Sequence, residues 1–140
     1  MLKTPEEAVR ALLTQTPDTA EVFGDRIYAV IAPTSASYPF AVYRRASVSR
    51  ESTLDGPSGS TTTVLDLIIL SDTYTSCREA SDKARQVLDG FSGIVDSVVL
   101  NNVYLESESD DYVSLQGTEL PPSYSVTLSL QILWIETERN

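Results

Sequence analysis

The stretch SYSVTLSLQILWIE, residues 123 to 136, limits the possible folds of this chain more than any other. Tyr124, Val126, Leu128, Leu130, Ile132 and Trp134 fall at every second position, with Ser, Thr and Gln mostly between them. A period of two places successive side chains on opposite faces of a strand, so one face here is a continuous apolar row. That row needs a second layer to cover it. SDTYTSCREASDKARQVLDGFSG, residues 71 to 93, supplies one: Cys77, Ala80, Ala84, Val87, Leu88 and Phe91 form a single stripe at helical spacing. Asp72 or Thr73 can cap this helix, and Gly90 and Gly93 end it. A helix stripe facing a strand row defines an α+β architecture.

The rest of the chain fits that frame. TPEEAVRALLTQ has Thr4 at the cap, Pro5 at the first helical position and Glu7 three residues after the cap, which predicts a short helix carrying Ala8, Val9, Leu12 and Leu13. TPDTAEVFGD reads as a further helical turn or a loop ending at Gly24. Residues 26–31 read as a strand, and Pro39 opens a longer one running to about Ser52, with Phe40, Val42, Ala46 and Val48 on one face. Residues 52–61 form a Gly/Pro/Ser-rich tip with an Asp-Gly turn signal, followed by the strand TTTVLDLIIL. Residues 40–70 are thus one long β-hairpin. IVDSVVLNNVYLE is a fourth strand, and the acid-rich segment 106–119 a loop. The expected fold is α+β in one domain over 1–140, with a mostly antiparallel sheet of four to five strands and two helices packed on one face.

Little here points to catalysis. The chain has no histidine, so the commonest general base and metal ligand are missing. Cys77, the sole cysteine, sits on the apolar stripe of a helix, where a core role is expected, and no intrachain disulfide can form. LDGPSGST lacks the Gly-Lys-Ser/Thr ending with which a P-loop holds phosphate. Arg44 and Arg45 are adjacent on a strand and point to opposite faces, a poor phosphate clamp, and one of them is expected to meet an acidic partner. Glu106, Glu108, Asp110, Asp111 and Glu119 lie within fourteen residues holding no Lys or Arg. They read as a solvated surface, with hard-cation binding as the alternative. Ten basic against 20 acidic residues give a net charge of −10, which opposes nonspecific binding to nucleic acid or anionic lipid. No enzyme activity, cofactor or metal is expected, and no apolar run is long enough to span a membrane.

The order of these elements resembles the tail-completion, or tail-terminator, family of long-tailed bacteriophages. The resemblance rests on Gly24, Asp25, Arg26, Ile27 and Tyr28, then Pro39, Phe40 and Tyr43, then Asp72 and Tyr74, after an N-terminal helix. It implies a structural virion protein of the tail and neck, assembled in the host cytoplasm. Such a protein forms a ring, a hexamer by the resemblance, that caps the tail tube, stops its elongation and joins it to the head connector. The implied partners are further copies of the chain, the major tail-tube protein and a head-completion protein, with DNA passing through the ring without specific binding. A connector-side stopper or adaptor, or a small binding domain of unrelated function, are the alternatives. In the ring reading, the hairpin tip is the assembly loop, with Arg50, Glu51, Thr53, Leu54, Asp55, Gly56 and Ser58 as candidate contacts. Glu106, Glu108, Asp110 and Asp111 are candidate channel-facing acids that keep DNA off the wall.

Overall fold

The computed structural model describes residues 4–33, 35–53, 56–113 and 123–136, with the backbone alone at 51–53, 56–58 and 113. Helices α1 (Pro5–Gln15) and α2 (Pro17–Phe23) lead into β1 (Ile27–Ala29), β2 (Phe40–Thr53) and β3 (Gly56–Ser71). Helix α3 (Tyr74–Leu88) follows, then β4 (Gly93–Val95), β5 (Val98–Val113) and β6 (Ser123–Ile135). The six strands form one sheet in the order β1-β2-β3-β6-β5-β4. Every pairing is antiparallel except β1 with β2.

Local chemistry explains the helices. Thr4 accepts the Glu7 amide proton at 3.3 Å and donates its own hydroxyl to the Glu7 carboxylate at 2.7 Å, with Pro5 just inside the helix. This is a variant of the expected capping box, because Glu7 returns to the hydroxyl and not to the cap's backbone. Thr73, not Asp72, caps α3 by accepting from the Ser76 amide at 3.2 Å. TPDTAEVFGD resolves into the helix α2, stopped by Gly24 at φ 57°. The buried Thr19 hydroxyl of α2 donates to the Leu13 carbonyl at 2.6 Å and locks the corner between α1 and α2.

The expected core is present. Val126, Leu128, Leu130, Ile132 and Trp134 are buried with Leu65, Leu67 and Ile69 of β3 and Cys77, Ala80, Ala84 and Leu88 of α3. Tyr124, Val87 and Phe91 pack against them, partly buried. Trp134 donates its indole N–H to the Thr63 hydroxyl at 2.9 Å, so the ring is buried without leaving a donor unpaired. Helix α1 touches β2, β4 and β5, which lie at opposite ends of the strand order, so the sheet curls around it.

Five expectations need correction. The sheet has six strands and is mixed, and there are three helices. IVDSVVLNNVYLE is not one strand: β4 turns at Asp96, φ 56°, into β5. The first strand stops at Ala29, where Val30 enters the left-handed region at φ 65°. The face of β2 is the other one. Ala41, Tyr43 and Arg45 pair with Ile69, Leu67 and Leu65 on the helix side, while Phe40 packs on the opposite side against Tyr28 and Tyr38. A bulge at Ala46 then shifts the parity of everything beyond it, leaving Ala46 exposed.

Finally, Glu106, Glu108, Asp110 and Asp111 lie in β5, not in a loop, paired along β6 as far as Val113 with Ser123. Pairing with the long edge of β6 overrides the weak strand propensity of these acids.

Candidate functional site

One antiparallel arm projects from the sheet. The β2–β3 arm outruns β6: the last β3–β6 pair is Ser60 with Ile135, yet β2 and β3 pair on to Thr53 with Gly56. The glycine-rich tip is therefore ordered strand over most of its length. A Glu136 amide bond to the Gly59 carbonyl at 2.8 Å and an Arg50–Glu136 ion pair at 3.1 Å anchor its base. Of the expected assembly residues, Arg50 is a described, exposed side chain there. Glu51, Thr53, Gly56 and Ser58 are placed on the two strands by backbone, and Leu54 and Asp55 lie outside the described residues. β5 and β6 pair from Val99 beside Ile135 to Val113 beside Ser123, and β3 stays beside β6 to Tyr124, so this acidic arm of the sheet does not outrun it.

The acidic arm is tied to α3. Arg78 bridges Glu108 at 2.6 Å, Asp110 at 3.2 Å and Asp82 at 3.3 Å. These carboxylates push the Arg78 pKa up, first through the Glu108 hydrogen bond. Tyr74 donates to Asp110 at 2.8 Å, which raises its phenol pKa. Tyr74 and Tyr112 both pack against Tyr124, at 6.0 and 4.8 Å between ring centroids. So Glu108 and Asp110 face the helix side of β5, whereas Asp111 pairs with Ser125 on the other face and Glu106 is the extra residue of a bulge. Arg78 was missed by the sequence reading because its partners lie about thirty residues on, in a segment read as loop.

The arginine pair behaves more symmetrically than expected. Arg45 binds both Glu6 carboxylate oxygens at 2.8 Å through Nε, and Arg44 meets Asp66 at 3.4 Å. Both have acidic partners, on opposite faces of β2. Arg26 and Arg10, by contrast, are spent on backbone. Arg26 donates to the Val22 and Pro39 carbonyls, and Arg10 to those of Asp25 and Ile27, which closes the turn from α2 into β1.

None of this assembles a reaction centre. Cys77 is buried, its thiol bonded toward the Ile69 carbonyl at 3.2 Å, and burial pushes its pKa up, away from a reactive thiolate. Among the described residues no three Asp, Glu or Cys side chains are grouped as a metal site. A hollow of about 620 Å³ between α1 and the sheet is lined by Glu7, Arg10, Thr14, Tyr43 and Val95, with the Tyr43 phenol held above its ordinary pKa by burial. No side chain placed to act as a nucleophile opens into it.

What the surface does offer is apolar material at the two margins of the sheet. Val30 and Ile31, just past β1, are 70% and 80% exposed, and Ile94 on β4 is 68% exposed. Sequence reading assigned Val30 and Ile31 to a strand and had no signal for their exposure.

The fold is an acidic α+β sheet-and-helix subunit with one projecting hairpin arm. The family model described as tail completion protein gp17 matches residues 7–120, and the chain belongs to that family. It is thus a structural phage protein of the virion tail and neck. No curated protein sequence matches it. Among solved structures, a chain of the virion of a native gene transfer agent particle shares the fold, with a TM-score of 0.73, 13% identity and 94% of each chain covered.

Proposed function

We propose that this protein forms a ring that caps the tail tube, stops its elongation and offers its far side to the head connector. The observation that carries this reading is membership in the tail completion family, together with a β2–β3 arm that outruns β6 at one end of the sheet. A subunit built this way can meet one partner through the arm while its flanks meet copies of itself. Membership in the tail completion family supports a role where a tail is finished. The net charge of −10 per subunit supports passage of DNA through the ring, because a net negative surface repels the phosphate backbone. We take residues 1–140 as one domain acting without catalysis, with the tube protein and a head-completion protein as partners.

The test is assembly without this protein. Particles lacking it should show tails of uncontrolled length and tailless heads by electron microscopy, and purified protein added to the extract should restore joining. Tails of normal length joined to heads in its absence would remove the reading.

A further inference from the structure

Val30 combines two costs. A β-branched residue at φ 65° is strained, and its side chain is 70% exposed beside an Ile31 that is 80% exposed. The Val30 amide donates to the Tyr43 carbonyl at 2.8 Å, which holds the pair against β2 as a fixed knob. Next to it is a hollow of about 500 Å³ lined by Ala29, Val30, Tyr43, Arg44 and the Arg45–Glu6 pair. Glu6 neutralises Arg45, but Arg44 keeps 56% of its side chain in solvent and holds Asp66 only at 3.4 Å. This flank therefore presents apolar side chains and Arg44, the exposed member of its pair with the mostly covered Asp66. β1 covers β2 only over Ala41–Tyr43, so the flank continues along the uncovered edge beyond.

The opposite margin has the reverse chemistry. β4 covers Val98–Leu100 of β5 and residues 89–91 bond Val103 and Leu105, which leaves 106–113 without a neighbour along that edge among the described residues. That segment carries Glu106 and Asp111, both exposed, with Tyr112 47% exposed as an aromatic anchor. An isologous contact would set Arg44 against Arg44 or acid against acid. The favourable contact is head to tail, which closes a ring when its rotation closes.

We propose that the Val30–Ile31 knob and Arg44 of one copy dock on the uncovered β5 flank of the next, against Glu106, Asp111 and Tyr112. The proposal rests on the ring reading above and names its subunit contact. It assigns Glu106 and Asp111 to the boundary between subunits and not to the channel wall.

Analytical ultracentrifugation of the full chain over a range of concentrations, with negative-stain imaging, tests it. The wild type should form closed rings. Ile31→Asp, Arg44→Glu and the double variant Glu106→Arg/Asp111→Arg should each stay monomeric with unchanged circular dichroism. Combining Arg44→Glu with Glu106→Arg/Asp111→Arg on one chain should restore rings. Rings from Ile31→Asp or Arg44→Glu at wild-type concentrations, or no recovery in the combined variant, would overturn this contact and leave the ring reading standing. Ile31→Asp rings that fail only in tail joining would give the knob to another virion protein, again overturning the contact. A wild type that is monomeric at every concentration would instead remove the ring reading, and the contact with it.

Discussion

Arg45 and Glu6, thirty-nine positions apart, close a two-oxygen ion pair that fastens the first turn of α1 to the middle of β2. The Arg45 side chain is 32% exposed and Glu6 16%, so the pair is partly screened by solvent. A double-mutant cycle of Arg45→Ala and Glu6→Ala, read by urea unfolding, should give a coupling of about 1 kcal/mol. The coupling should shrink as salt rises. A coupling of zero at low salt would show that α1 is held by its apolar face alone.

Leu130 is fully buried in the row that faces α3. Leu130→Ala should lower unfolding free energy by about 2 to 5 kcal/mol, since the rigid sheet cannot collapse into the space. A loss below about 1 kcal/mol would mean that the helix layer is loosely packed there.

Burial raises the Cys77 thiol pKa, which sets a pH dependence with a definite sign. The native state keeps its proton where the unfolded thiol has begun to lose it, so this contribution is intact below the ordinary thiol pKa. It falls as pH climbs through and beyond that value. Urea midpoints of the wild type should therefore drop more steeply than those of Cys77→Ala above about pH 9. In the native protein at neutral pH, a thiol reagent should react only as fast as the subunit opens. Immediate labelling would contradict the burial.

That so much of this core was legible in the sequence has a simple cause. In β6 the period of two runs without interruption from Tyr124 to Trp134, and its partner β3 repeats it at Leu65, Leu67 and Ile69. Legibility failed where one residue breaks the count. The extra Ala46 in β2 reverses which side chains point inward, and Phe40 is buried on the outer face by its neighbours Tyr28 and Tyr38. Neither is visible in a local pattern. The acids of β5 read as loop because charge predicts solvent, whereas Arg78 on α3 and the edge of β6 make a strand of them. The exposure of Val30 and Ile31 was the least legible, because an exposed pair and a buried one are spelled the same way.

The β2–β3 tip should matter for assembly and little for stability. Beyond the Glu136 contacts at Gly59 and Arg50, the described residues of the arm pair strand to strand with each other. Replacing residues 52–57 with a two-residue Asn-Gly turn should leave the thermal midpoint within about 2 °C of wild type while blocking tail joining. Unfolding of the shortened chain would refute this division of labour.

Val30 is held where glycine would sit without strain. Val30→Gly should raise the unfolding free energy of the isolated subunit by about 1 kcal/mol, because relief of the left-handed strain outweighs the added chain entropy. Urea midpoints compared below the concentration of self-association check this. A clear destabilisation would mean that Val30 makes contacts within the subunit that outweigh its backbone.

The strand order also governs when a subunit can exist. β6 lies between β3 and β5, so the two halves of the sheet meet only through it. During synthesis the β2–β3 hairpin and α3 emerge early, but they have no continuous layer to pack on until residue 135 has left the ribosome. The contacts that complete the sheet are long in sequence, Ser60 to Ile135 among them, and such closures come late in folding. In the proposed ring, subunit association therefore waits on the strand that joins the halves, a built-in delay between translation and assembly.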